Sequence, residues 1–211
     1  SIQQIQAAYD LGVRHFGENR VEEAEDKVPH LPGDIIWHMI GHVQSRKAKR
    51  VASLFQWVHS VDSLKLARRL DRASASQDKV LPVLLEVNVS GETAKYGFDA
   101  SAWSANQAQR QALLAVASEI MTLPNLKVEG LMTMAPIVSE PEEARPVFAS
   151  LRHLRDEQER ALVVRNGKSH HERTVQLGAG SIQIHAPRVH DRRPDQRFSS
   201  QILPPYMRRS P

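Results

Sequence analysis

Apolar residues recur along this chain in two alternating rhythms. Ile2, Ile5, Ala8 and Tyr9 stand at helical spacing, and Gly12 follows where a left-handed C-terminal cap belongs. Residues 13–16 then read as a short strand. The alternation continues with a helix over 20–27, an apolar strand over 35–40, a helix over 47–55 and a strand over 57–61. Asp62 is the candidate cap of the next helix, which sets Leu66 and Leu70 on one face. Residues 80–89 are apolar on both faces except at Glu86, the pattern of a parallel strand covered by helices. A helix over 107–121 aligns Leu113, Leu114, Ala117, Ile120 and Met121, and a strand follows over 126–133. Residues 142–162 form a long helix with Phe148, Leu151 and Leu154 facing in, where Pro146 removes one hydrogen bond and can kink the first turns. A last short strand fits 174–177.

Six strands alternating with about five helices predict an α/β fold on a parallel sheet. A doubly wound sheet and a (β/α)8 barrel of the TIM type both satisfy the alternation. No Gly-x-Gly-x-x-Gly follows any strand, so nothing favours a dinucleotide fold. A barrel gathers its polar residues at the carboxyl ends of the strands. Gly17-Glu18-Asn19, His38, Gly41-His42, Asn88-Val89-Ser90-Gly91 and Met132-Thr133 all follow apolar strands, which favours the barrel.

Composition narrows the picture. With 211 residues, 41% of them hydrophobic, and no linker, one domain over residues 1–184 is the better reading. The absence of cysteine excludes disulfides, thiolate metal sites and Cys nucleophiles, and fits a reducing compartment. The longest apolar stretch, 80–89, is broken by Pro82 and Glu86 and falls far short of the roughly 18 residues a membrane span needs. No secretory signal precedes Ile2, so no membrane partner is expected. The net charge of +4 resides in residues 185–211, where six arginines face two aspartates. That segment also holds Pro187, Pro194, Pro204, Pro205 and Pro211, and it reads as a disordered basic tail.

The strand ends supply the candidate chemistry. Asn19 follows a glycine turn and can either donate and accept toward a ring or serve as a routine turn residue. His38 and Trp37 point to opposite faces of their strand, so one of them faces the barrel interior. His38 is then either a ligand-facing imidazole or a satisfied core histidine. His42, Gln44 and Lys47 enter a helix whose free N–H groups could hold an anion. Metal binding is a poor reading, because Gly41 breaks the helix that His38 and His42 would need and no zincin glutamate is present. The loop of Asn88 to Glu92, with Lys95 and Gly97, can take phosphate or simply turn. Paired strand-end carboxylates beyond Glu18 and Glu86, a Gly-x-Ser-x-Gly elbow and a Walker loop are all absent.

Five motifs in order resemble the pyridoxal phosphate homeostasis proteins, the YggS/PROSC family. They are Phe16-Gly17-Glu18-Asn19, the run Trp37-His38-Met39-Ile40-Gly41-His42-Val43-Gln44-Ser45-Arg46-Lys47, and His59-Ser60-Val61-Asp62-Ser63-Leu64. Val87-Asn88-Val89-Ser90-Gly91-Glu92 with Lys95 and Gly97, and Gly130-Leu131-Met132-Thr133-Met134, complete the set over residues 1–155. The resemblance implies a (β/α)8-type barrel, similar to the N-terminal domain of alanine racemase, that holds pyridoxal 5'-phosphate (PLP). It also implies a protein that stores or delivers the cofactor to apo PLP enzymes and is not itself an enzyme. By that likeness Asn19 and His38 lie near the pyridine ring, Met132 lines the pocket floor, and Gly41 to Lys47 builds its rim.

Two departures accompany the likeness. The family's Schiff-base lysine stands on a first strand that would precede Ser1, and its phosphate-cupping glycine turn is not matched after Leu177. The expectation is therefore a truncated barrel lacking its first and last strands, monomeric with aggregation-prone edges, and impaired in holding PLP. Two other functions remain to be weighed. A racemase-like PLP enzyme would need a second-face acid or base, and only Tyr9, Tyr96 and Tyr206 could serve as tyrosines. Binding of nucleic acid or an acidic partner through the Arg-rich tail would be salt-dependent, but few aromatics interleave the arginines, so a solvated tail is preferred.

Overall fold

A computed structural model describes residues 1–177 and 180–191, with side chains through Glu157. The chain forms two compact units, 1–155 and 156–211. The boundary expected after residue 184 falls inside the second.

The first unit alternates as the apolar rhythm predicts. Helix α1 (Ile2–Asp10) starts at a capping box in which the Ser1 hydroxyl accepts from the Gln4 N–H, and it ends at Leu11 before Gly12 at φ +97°. β1 (His15–Glu18), α2 (Val21–Lys27), β2 (Ile36–Met39), α3 (Ala48–Leu54) and β3 (Trp57–Val61) follow. Then come α4 (Leu64–Ala75), β4 (Leu81–Asn88), the two-residue β5 (Phe98–Asp99), α5 (Gln107–Met121), β6 (Leu126–Met132) and α6 (Pro141–Leu162).

The strands pair in parallel in the order β1-β2-β3-β4, and both β5 and β6 pair with β4. This is an α/β fold on a parallel sheet. Among the described residues the sheet does not close on itself, so the expected barrel is an open sheet here. One face carries the main core: Trp37 and Met39 of β2, Val58 of β3, and Val83 and Leu85 of β4 pack with Val51 and Phe55, Leu66 and Leu70, and Ile120 from the helices. A smaller cluster of Val87, Ala100, Trp103, Leu113 and Leu154 joins the end of β4 to α5 and α6.

Three local expectations are corrected. The first strand begins at His15 rather than Val13, because Arg14 spends its guanidinium on the Tyr9 and Val13 carbonyls while the α1 cap closes around Gly12. Ser63, not Asp62, caps α4: its hydroxyl accepts from the Leu66 N–H. Asp62 is occupied elsewhere, pairing with His42. Phe148 on α6 is exposed, whereas Leu154 is fully buried, so the inward stripe of that helix lies one face round from where Phe148 stands.

In the second unit, β7 (Val163–Leu177) pairs antiparallel with β8 (Gly180–Asp191). The short strand expected over 174–177 is the end of β7. The segment read as an irregular tail begins inside β8, and its remaining residues, 192–211, lie outside the described residues.

Candidate functional site

In a parallel sheet every carboxyl end lies at one edge, and loops there can converge on a ligand. Side-chain alternation decides which residues look away from the helices. Trp37 and Met39 are buried in the helix-side core, so His38 between them points to the opposite face. Phe16 packs against Trp37 with ring centroids 6.0 Å apart, which turns His15 and Gly17 to the same face as His38. Val58 is in the core, so Trp57 and His59 face that way too.

The result is a row of three imidazoles across β1, β2 and β3. His15 Nδ1 and His38 Nε2 are 2.9 Å apart, as are His38 Nδ1 and His59 Nε2. The Trp57 indole stacks on His38 at 5.7 Å. In the middle of the row, burial lowers the pKa of His38 to about 4, and the His59 and His15 neighbours push in the same direction. Burial also lowers that of His59. His38 is therefore a neutral imidazole at physiological pH, and both its nitrogens are held in hydrogen bonds. The row runs along the sheet instead of converging, and among the described residues no group of three histidine or acidic side chains could hold a metal ion.

Past β2, Gly41 lies against the turn that follows β1. A Cβ added to Gly41 would fall inside contact distance of the Asn19 carbonyl oxygen and 2.8 Å from its Cα, where real Cβ contacts essentially never come under 3.0 Å. The Gly41 carbonyl also accepts a 2.6 Å hydrogen bond from Ser60 Oγ. Asn19 itself is exposed and its side-chain amide is unbonded. Next to Gly41, His42 Nδ1 lies 3.0 Å from Asp62 Oδ2, and the His42 ring stacks on Tyr96 with centroids 3.7 Å apart.

The anion reading of the following turn finds no support. A 3-10 turn over Ser45–Lys47 leads into a seven-residue helix, Gln44 accepts from Arg46, and Lys47 pairs with Glu22 at 2.8 Å. The Asn88 loop is likewise self-contained. Asn88 Oδ1 accepts from the Gly91 N–H and Ser90 Oγ, and its Nδ2 donates to the Glu92 carbonyl. Lys95 donates to the Met134 carbonyl and pairs with Glu92 at 2.7 Å.

On β4, Leu85 and Val87 enter the two cores and Glu86 points the other way, in register with Met132 of β6. Glu86 is only 6% exposed and its Oε2 has no hydrogen-bond partner. Burial raises its pKa to about 7, with the Asp62 carboxylate adding to the rise. Of the four candidate residues, Asn19 and Gly41 are thus in contact, and His38 lies on β2 in register with Gly17, before the turn that carries Gly41. Met132 stands apart on β6, three strands along the sheet from the β2 of His38, beside Glu86. His15, His59 and Glu86 were not singled out as site residues from sequence. The signal for the histidines was parity, since each adjoins a large apolar residue that the core claims. For Glu86 it was a lone carboxylate in a strand otherwise apolar on both faces.

Residues 1–174 match the profile of the alanine racemase N-terminal domain. The pyridoxal phosphate homeostasis protein of Aquifex aeolicus is 37% identical over 157 residues, covering 74% of this chain and 64% of that protein. The protein of the same name from Pseudomonas aeruginosa is 39% identical over 151 residues, covering 71% of this chain and 61% of that one. The chain thus spans under two thirds of the length of these two relatives. Among solved structures, PipY of Synechococcus elongatus PCC7942 with PLP bound is 34% identical, with a TM-score of 0.64 over 76% of this chain and 70% of that one. Alanine racemase of Clostridium difficile 630, at 15% identity and a TM-score of 0.59, shares the fold.

Proposed function

Because this chain belongs to the pyridoxal phosphate homeostasis family, built on the alanine racemase N-terminal domain, we propose that it binds pyridoxal 5'-phosphate at the carboxyl ends of its parallel strands and holds the cofactor without catalysis. The open sheet is read as the greater part of a (β/α)8-type barrel, with His38, Asn19, Gly41 and Met132 facing the cofactor. The single observation that carries this reading is the face of the sheet left by the core. Its strands offer a neutral imidazole, a free amide and an unpartnered buried carboxyl group near one edge.

The donor set fits the ring half of the cofactor. A pyridine with a phenolic oxygen is planar and takes hydrogen bonds from uncharged donors, of which the Asn19 amide is free, while His38, with both nitrogens engaged by His15 and His59, offers ring surface, and Gly41 lets the rim turn pack against the Asn19 backbone. When bound, PLP supplies an amine-reactive aldehyde and a phosphate ester. His38 holds its tautomer through His15 and His59, so it presents a fixed orientation. Asn19 orients the ring edge, and Met132 supplies apolar surface below it. A protein that buries the ring in this way keeps the aldehyde from free amines and can pass the cofactor to apo PLP enzymes.

The racemase alternative is not favoured: among the described residues the one tyrosine near the strand ends, Tyr96, is committed to stacking on His42. Among the described residues no helix is long and apolar enough to cross a membrane. Equilibrium dialysis against PLP, read by absorbance and followed by borohydride trapping, tests the proposal. Saturable binding that weakens in His38→Leu is expected, and absence of both binding and a trapped lysine overturns it.

A further inference from the structure

All of the excess basic charge lies in residues 185–211, so the rest of the chain is neutral in sum. Folding nevertheless sorts that balance by helix. Helix α4 buries Leu66, Ala67, Leu70 and Ala73 and leaves Lys65, Arg68, Arg69 and Arg72 exposed. Positions three and four apart are neighbours on a helix, so each of these cations stands beside two others, and like charges at that spacing destabilise the helix. Lys65 also lies in the first turn, where the macrodipole is positive. The one acid of the helix, Asp71, gives no relief, because its carboxylate accepts from the Asn125 backbone N–H and side-chain amide. Arg68 pairs with Glu119, but Arg72 donates only to the Arg68 carbonyl, and Lys65 and Arg69 have no ion-pair partner among the described residues. Helix α3 packs beside α4. With the 3-10 turn before it, α3 adds Arg46 and Lys49, both exposed and without a carboxylate partner among the described residues.

We propose that this face docks the phosphate backbone of a double-stranded nucleic acid, with Lys49, Lys65, Arg69 and Arg72 as the phosphate contacts and no reading of bases. From Lys65 to Arg72 the helix rises about 10 Å, and a duplex presents one charge per about 1.7 Å of its axis, so the stripe meets phosphates along its whole length. Its side chains suit that partner better than others. Protein interfaces centre on apolar or aromatic anchors, whereas the other exposed positions of α4 and its C-cap are Ala75 and Ser76. Single strands are held by stacking, and neither helix carries an aromatic residue. A bilayer would need the apolar side of α4, which the core already covers. A second copy of the chain does not supply the counter-charge through α2, since Glu22, Glu23 and Glu25 are engaged by Lys47, Lys27 and Arg50.

Fluorescence anisotropy of labelled DNA and RNA duplexes, titrated with the full chain, tests the proposal. Four phosphate contacts contribute a slope of log affinity on log salt of about −3.6, a loss of about 150-fold between about 50 and 200 mM salt. Lys65→Gln, Arg69→Gln and Arg72→Gln together should make the slope shallower by about 2.7. The thermal melt of that variant should stay at or above that of the unsubstituted protein, because like-charge neighbours are removed. Glu119→Gln releases Arg68 and should steepen the slope by about 0.9, a gain that misfolding does not produce. Binding in either arm supports the proposal, and the tighter arm identifies the source of the phosphates. Three results overturn it: no duplex binding at about 50 mM salt, a slope that the helix substitutions leave unchanged, as it would be if the arginines of residues 192–209 made the contacts, or a polyglutamate peptide bound more tightly than either duplex. The cofactor reading stands in every case, because His38 and its neighbours lie on the opposite face of the sheet.

Discussion

Replacing Gly41 with alanine probes both the fold and the rim of the site. The glycine is not required by a left-handed φ, because Gly12, Gly91 and Gly97 alone adopt positive values among the described glycines. It is required by proximity. The new Cβ would meet backbone atoms of Asn19, with Cα at 2.8 Å and the carbonyl carbon at 2.9 Å, so no side-chain rotation can relieve the clash. The turn after β1 and the end of β2 must part. Overpacking of this kind costs about 1–3 kcal/mol. The same shift strains the 2.6 Å bond from the buried Ser60 hydroxyl to the Gly41 carbonyl, which adds about 0.5–1.5 kcal/mol. Urea unfolding followed by tryptophan fluorescence, with Trp37 buried in the core as reporter, should show a loss of about 2–4 kcal/mol at unchanged m-value. A loss below about 0.5 kcal/mol would refute the close-approach argument.

Three further outcomes are expected. His38 has a folded-state pKa near 4, below its unfolded 6.5, so its stabilising contribution is complete above 6.5 and fades as pH falls from 6.5 to 4; unfolding curves over that window should flatten in His38→Gln. Glu86 shows the opposite sign: its folded pKa near 7 exceeds the unfolded 4.5, so stability is lost as pH rises from 4.5 to 7, and Glu86→Gln should gain stability relative to the unsubstituted protein at pH 8. Ser63→Ala should lower thermal stability by about 1 kcal/mol through loss of the α4 cap, a change that Asp62→Ala would not reproduce by that route.

The element order was legible because burial on one side of a parallel sheet leaves a strong apolar record. The strand over 57–61 and the helix over 107–121 fall where the pattern put them. Ends were read less well where a side chain chose between neighbours. Asp62 and Ser63 are equally plausible caps in sequence, and only the position of His42 on the adjacent strand end draws Asp62 away. Phe148 failed for a related reason: α6 is amphipathic, but periodicity cannot say how far round its apolar stripe extends. At the site, Gly41 beside Asn19 was legible as a turn glycine, although its partner was not. The row His15–His38–His59 depends on the stagger between strands, which sets residues 23 and 21 apart at hydrogen-bond distance and leaves no trace in local spacing. Glu86 was visible as an exception in an apolar strand, but its lack of a partner is a property of the packed sheet.

The central claim is that a pyridine cofactor sits on the face of the sheet carrying His38, at the carboxyl ends of the strands. NMR of the protein labelled at the Met132 methyl group and the histidine rings, titrated with PLP, tests it most directly. The account predicts saturable shifts at Met132 and His38 and none at His30, which lies in a 3-10 turn ahead of β2 in the chain. Shifts confined to other histidines, or spread uniformly over the surface, would contradict it.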